Sequence, residues 1–311
     1  MIFTFIGLAI ISVFLVLLFF SYKEKKKVNE EINNKNQKLE TAYSIVEEKN
    51  KEILDSINYA KRIQNAILPP AKIVKEYLPE SFILYKPKDI VAGDFYWMHC
   101  LSASREQKEG LILFAAADCT GHGVPGAMVS VVCNNGLNRS VREYGITDPG
   151  KILDKTREIV IQEFEKSEED VKDGMDISFV SLYSNLQNGI HTVKWAGANN
   201  PLWIIRKGAL EVEEIKANKQ AIGQIDHAEP FTTHELELQQ GDTIYIFTDG
   251  FQDQFGGERG KKFKPANLRK LLLSITDKDM QEQRQLLDET FEAWRRDLEQ
   301  VDDVCVIGVR L

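Results

Sequence analysis

Residues 110–126 read Gly110-Leu111-Ile112-Leu113-Phe114-Ala115-Ala116-Ala117-Asp118-Cys119-Thr120-Gly121-His122-Gly123-Val124-Pro125-Gly126. An apolar run of this length bounded by glycine predicts a buried strand, and it delivers Asp118 at a strand end where glycines let backbone approach a ligand closely. A carboxylate held there calls for a cation. Taken alone, Asp118 serves equally well as a cap for the helix beginning near Pro125. What separates the two readings is that the same device recurs along the chain.

Asp94 follows Gly93 and precedes Phe95-Tyr96-Trp97; Asp249, in Thr248-Asp249-Gly250, ends the run Thr243-Ile244-Tyr245-Ile246-Phe247; Asp302-Asp303 precede Val304-Cys305-Val306-Ile307. Singly, each has an ordinary explanation: a hairpin turn at Gly93-Asp94, a turn at Asp249-Gly250, an edge-blunting pair at Asp302-Asp303. Together they predict strand ends converging on one rim. Two carboxylates at about 4 Å repel by about 4 kcal/mol at an effective dielectric near 20, so such a cluster either protonates or recruits cations. Ligands that are all oxygen select Mg²⁺ or Mn²⁺ over zinc.

Outward from this centre, the chain changes character twice. Ile2 to Phe20 carry no charge, and at about 1.5 Å per helical residue they cross a bilayer core of about 30 Å. Residues 1–22 are therefore expected to be a transmembrane helix. A cleaved signal peptide would need a basic start, a shorter apolar stretch and a small-residue cleavage site, where this chain runs straight into Ser21-Tyr22-Lys23. Lys23, Lys25, Lys26 and Lys27 follow the span, which predicts a single-pass protein of the cell membrane with everything downstream in the cytoplasm. Residues 23–70 are expected to form a helical linker. Steps of three and four give Ile32, Asn36, Leu39, Tyr43, Val46, Asn50, Ile53, Ile57, Ala60, Gln64 and Ile67, a coiled-coil seam whose polar members set register and favour a parallel homodimer over a lone helix. Pro69-Pro70 ends it.

Residues 71–311 read as one domain. From Ala71 the pattern is one of short strands and turns, with helices expected near Pro125–Tyr144, Pro149–Glu165, Pro265–Ser274 and Met280–Leu298, and strands including His191–Ala196, Leu210–Glu214 and Val304–Val309. Strands and helices in separate blocks predict an α+β layered domain. A net charge of −8 without a basic face excludes a nucleic-acid partner and, with it, a metal-dependent nuclease. The four cysteines lack C-x-x-C spacing and lie in or beside apolar runs, as expected of reduced core residues.

Gly93-Asp94-Phe95-Tyr96, Asp118-x-x-Gly121-His122-Gly123, Asp173-Gly174-Met175-Asp176, Ala196-Gly197-Ala198-Asn199-Asn200-Pro201, Thr248-Asp249-Gly250 and Asp302-Asp303 occur in an order that resembles metal-dependent protein phosphatases of the 2C (PPM) type, and more narrowly the bacterial branch named after the stage II sporulation protein E. The resemblance covers about Ser56 to Leu311. It implies a two-layer antiparallel β-sandwich flanked by helices, with two Mn²⁺ or Mg²⁺ ions on its rim. Asp118 matches the residue that bridges both ions, and the carbonyl of Cys119 a further ligand. Asp94, Asp249 and Asp302 match the remaining carboxylates, with Asp303 as an alternative to its neighbour. Asp176 resembles an acid at a third, weaker metal position, and is equally a loop residue capping the next strand.

In such enzymes a water shared by two cations about 3.5–4 Å apart attacks phosphoserine or phosphothreonine in line. His122 is a candidate acid for the leaving alkoxide, or a residue that only shapes its glycine-flanked loop. The interval from Asp118 to His122 is longer than in the animal-type enzymes, and no residue matches their phosphate-gripping arginine. The resemblance implies a membrane-anchored, dimeric serine/threonine phosphatase acting on a small phosphoprotein of the anti-sigma-factor-antagonist type. A non-catalytic, membrane-tethered scaffold that binds a phosphoprotein is the alternative.

Overall fold

The computed structural model describes residues 2–102, 110–166, 172–183 and 190–311. In chain order the elements are α1 (Ile2–Ile67), α2 (Ala71–Tyr77), β1 (Ser81–Lys86), β2 (Phe95–Ser102), β3 (Gly110–Cys119), α3 (Gly123–Arg142), α4 (Pro149–Phe164), β4 (Met175–Tyr183), β5 (Ile190–Ala198), β6 (Leu202–Ile205), β7 (Glu213–Ile215), β8 (His234–Gln239), β9 (Thr243–Phe247), α5 (Gly250–Asp253), β10 (Phe255–Gly256), β11 (Lys261–Lys262), α6 (Pro265–Ile275), α7 (Met280–Arg295) and β12 (Val304–Arg310). Two five-stranded sheets carry the domain, ordered β1-β12-β9-β6-β7 and β2-β3-β4-β5-β8, and the ladders between their neighbouring strands are antiparallel.

The uninterrupted apolar run of β3 has a direct cause: both of its faces are covered. Ile112, Phe114 and Ala116 enter the core between the sheets, where they join Ile244 and Ile246 of β9 and Cys305 and Ile307 of β12. Leu111, Leu113, Ala115 and Ala117 point the other way, onto Val129, Cys133 and Leu137 of α3 and Ile152 and Leu153 of α4. The second sheet repeats the arrangement, with Tyr245, Phe247, Val304 and Val306 facing Leu268 and Leu272 of α6 and Leu287 and Phe291 of α7. The order of layers is helix, sheet, sheet, helix. Each fully buried Leu or Phe contributes about 1.5–3 kcal/mol, so the sandwich is held chiefly by these three apolar layers. The indole N–H of buried Trp195 is satisfied by the Ser178 hydroxyl at 2.8 Å.

The chain divides into two compact units, Met1–Asn58 and Tyr59–Leu311. From Ile2 onward the first lies within α1, and one described helix of the chain is long and apolar enough to cross a membrane. The second reaches back to Tyr59, before the division at residue 70 read from the prolines, because Gln64 near the end of α1 is buried in it. The proline pair does end α1, but the stretch after Ala71 opens with a helix and not with strands: the Pro70 carbonyl accepts from the N–H groups of Ile73 and Val74, at 2.9 and 3.1 Å, and starts α2. The strand expected at Leu210–Glu214 is shifted to Glu213–Ile215 because a turn around Gly208 (φ +78°) leaves Leu210 in solvent. All four cysteines are free thiols; Cys119, Cys133 and Cys305 are buried and Cys100 is half-buried.

Candidate active site

Strand register brings the acidic ends together. Phe95 at the start of β2 pairs with Ala117, which sets Asp94 beside the end of β3. Asp118 pairs with Asp176 at the start of β4. In the facing sheet Phe247, the last residue of β9, pairs with Val306 of β12, so Asp249 lies near Asp302 and Asp303. Asp118, Asp176, Asp249 and Asp302 line one open cleft of about 270 Å³, which Cys119 and His122 also line.

Asp94 and Asp303 do not line it. Asp94 is only 2% exposed and lies behind the cleft, its Oδ2 accepting the Thr248 hydroxyl at 2.6 Å. That hydroxyl accepts from the Cys305 N–H at 2.9 Å, which fixes its own proton on Asp94. Asp303, 1% exposed, accepts the backbone N–H groups of Lys88 and Gly93, each at 2.7 Å. Of the two adjacent acids, Asp302 faces the cleft and Asp303 braces the loop leading to Asp94. The same loop is gripped by α1: Gln64 donates to the Ala92 carbonyl at 2.6 Å and accepts the Ala92 N–H at 3.1 Å. Tyr85 donates its hydroxyl to the Asp94 carbonyl at 3.0 Å.

Asp118 does not cap the following helix, whose N-cap is His122. Gly121 and Gly123, at φ +81° and +62°, turn the chain on either side of that histidine. A side chain on Gly93 or Gly126 would collide with the Gly121 carbonyl oxygen, so these positions pinch the turn between them. The His122 ring makes no cap bond; its Nδ1 lies 2.8 Å from Oδ2 of Asp89. Thr120 fastens the other side, donating its hydroxyl to Asp173 at 2.8 Å and its N–H to the Gly174 carbonyl at 3.0 Å. Asn199, in the left-handed region at φ +56°, donates its amide to Asp176 at 2.8 Å.

The charge balance of the cleft follows from this crowding. Burial, then the carboxylates of Asp249, Asp302 and Asp176, push Asp118 up to about 8. Burial, then Asp253 and Asp302, push Asp249 up to about 6. The two carboxyls titrate as a pair, and together they hold protons above the ordinary carboxylate range. Burial raises Asp94 well above the ordinary carboxylate range, followed by repulsion from Asp118, against the opposing Thr248 hydrogen bond. Among the described residues no three His, Cys, Asp or Glu side chains already form a closed metal cage. The donor set nevertheless fits a hard cation: it is all oxygen, and its crowded carboxylates are raised by a mutual repulsion that a cation would relieve.

Residues 108–311 match the family model for stage II sporulation protein E (SpoIIE). The chain belongs to the SpoIIE family. Among solved structures, the PP2C domain of SiaA from Pseudomonas aeruginosa is similar at 32% identity and a TM-score of 0.71, over 84% of this chain and 98% of that one. The PP2C phosphatase domain of SpoIIE from Bacillus subtilis, solved with a fragment of its regulatory domain, shares the fold at 21% identity and a TM-score of 0.57, over 74% of this chain and 62% of that one. The RsbU and RsbW domains of a Mycobacterium tuberculosis protein give 20% identity and a TM-score of 0.54, over 75% and 60%. No curated protein matches in sequence. This SpoIIE-family chain is a PP2C-type serine/threonine protein phosphatase, a hydrolase of a metal-dependent class. The expected branch and the expected α+β sandwich are both borne out.

Proposed function

We propose that this phosphatase is anchored in the membrane by Ile2–Phe20, works as a homodimer through α1, and hydrolyses phosphoserine or phosphothreonine on a small regulatory phosphoprotein of the anti-sigma-factor-antagonist type. The observation that carries the catalytic part is the meeting of Asp118, Asp176, Asp249 and Asp302 in one cleft, where burial and mutual repulsion raise Asp118 and Asp249. Mn²⁺ or Mg²⁺ would be held by Asp118, Asp249, Asp302 and the Cys119 carbonyl in the cleft, with Asp94 joining from behind it and Asp176 at a further, weaker position. Bound there, the cations supply activation of water and neutralisation of phosphoryl charge.

The chain's own residues set the remainder. Thr248 and Asp303 hold the loop that carries Asp94, and Asn199 holds Asp176. The unpaired negative charge of the cleft rejects a phosphate dianion until cations are bound, which makes turnover conditional on metal. Gln64 ties the signalling helix to Ala92, two residues from Asp94. A change in helix pairing or register would thereby bias this loop between two states. The exposed apolar stretch Ile2–Phe20 and the lysines after it support the membrane-anchored reading.

The test is Mn²⁺-dependent release of phosphate from a phosphoserine peptide by wild type and Asp118→Ala. Turnover by wild type alone supports the hydrolase. Equal inactivity of both supports the non-catalytic scaffold. Regulation by the helix is contradicted if fusing a constitutive dimerising coil, or deleting residues before Ser56, leaves turnover unchanged.

A further inference from the structure

Asp89 belongs to none of the sequence patterns around the cleft, yet its Oδ2 lies 2.8 Å from Nδ1 of His122. Both side chains are about half exposed, at 46% and 53%. Three features make this contact more than a chance surface pair. The loop holding Asp89 is fixed on both sides by buried partners, since Asp303 takes the N–H of Lys88 and of Gly93 while Gln64 takes both backbone groups of Ala92. The turn holding His122 is set by two glycines in the left-handed region, and a side chain on Gly123 would approach Asp89 Oδ2 to 3.2 Å. His122 also lines the acidic cleft, so a ring held through Nδ1 keeps its other nitrogen available to a substrate there.

We propose that Asp89 is a positioning residue for His122: it accepts the Nδ1 proton of the doubly protonated ring, fixes the ring orientation, and so aims Nε2–H at the leaving oxygen of a phosphoserine. The inference rests on the hydrolase reading above. In the step, the oxygen of the attacking water forms a bond to phosphorus and the bond from phosphorus to the serine Oγ breaks. The electron pair of that bond stays on Oγ, which takes the Nε2 proton. His122 is left neutral with Nδ1–H still on Asp89. It regains a proton from solvent, into which the attacking water has released one, so the net change is phosphoserine plus water to serine plus phosphate. The alternative role for Asp89 is purely structural, as a partner that keeps the glycine turn in shape.

The leaving group separates the two roles. An alkoxide needs a proton as it departs, whereas 4-nitrophenolate is stable without one. The full chain is assayed with Mn²⁺ on a phosphoserine peptide and on p-nitrophenyl phosphate. Asp89→Asn is expected to lower kcat on the peptide about 10- to 100-fold and on p-nitrophenyl phosphate at most about threefold. Asp89→Glu, which retains an acceptor, is expected to restore part of the peptide rate, and adding Asp89→Asn to His122→Ala to cost nothing further. Equal losses on both substrates, or no loss on the peptide, overturn the positioning role. A wild type inactive on both substrates overturns the hydrolase reading and this role with it, an outcome distinct from any pattern among the variants.

Discussion

Asp118 stands directly opposite Asp176 in the β3–β4 ladder. Like charges facing one another across antiparallel strands oppose pairing, and here the conflict is sharpened by Asp249, which reaches Asp118 from the other sheet. A fold that spends three carboxylates on one point gains nothing from them in stability. Their arrangement makes sense as a demand for positive charge.

The first prediction concerns pH. Burial and mutual repulsion push the Asp118–Asp249 pair up to about 8 and about 6, against about 3.9 in an unfolded chain. Because both values are raised, the stabilisation from protonating them is complete below about pH 4 and is lost as pH rises through the two folded values. The melting temperature of the metal-free protein is therefore expected to fall between pH 5 and pH 9. Mn²⁺ should raise it most at the alkaline end, and Asp118→Asn should flatten the slope. Differential scanning calorimetry at fixed ionic strength checks this.

Asp302 and Asp303 are adjacent and chemically identical, yet they should fail differently. Asp303→Ala strands two N–H groups that its buried carboxylate now accepts, at a cost of about 2–5 kcal/mol. Asp302→Asn removes a charge from the cleft and should leave the denaturation midpoint unchanged or higher while abolishing metal-dependent turnover. Urea unfolding and phosphate release, measured on both variants, separate a brace from a ligand.

Gln64→Leu keeps a comparable volume but breaks both bonds to Ala92 and the bond to the Ser130 hydroxyl at 3.1 Å. A destabilisation of about 1–3 kcal/mol is expected. Turnover should also require more Mn²⁺, because the loop to Asp94 loses one of its anchors. A Mn²⁺ titration of initial rates tests the second effect apart from the first.

Gly126→Ala should be among the most damaging small changes in the domain. The added carbon runs into the Gly121 carbonyl, and relieving the overlap means moving the turn that holds His122, at about 1–3 kcal/mol or more. Gly145→Ala, where nothing lies within 4 Å, provides the contrast: its φ of +65° carries strain but no collision. Activity relative to stability in the two variants measures how much the pinch matters to the site.

Much of this was legible in the residues. The run Leu111–Ala117 announces a strand covered on both faces, and the acids at strand ends announce a rim. What the sequence did not resolve was the division of labour among acids of the same type. Asp302 and Asp303 differ only in which way the chain turns before β12, and Asp94 is set behind the cleft by a hydroxyl from a different strand. Asp89, Thr248 and Gln64 act through contacts between segments far apart in the chain, and no periodicity or spacing encodes those. The helix at Ala71–Tyr77 was obscured by the prolines before it, whose usual meaning is that a helix ends.

The most direct measurement is calorimetric titration of Mn²⁺ into the chain after removal of metal with a chelator. The account predicts two strongly bound ions per chain, with proton release on binding at pH 7 as the raised Asp118–Asp249 pair ionises, and loss of at least one ion in Asp118→Asn. No Mn²⁺ uptake by wild type, or the same uptake after both Asp118→Asn and Asp249→Asn, would contradict it.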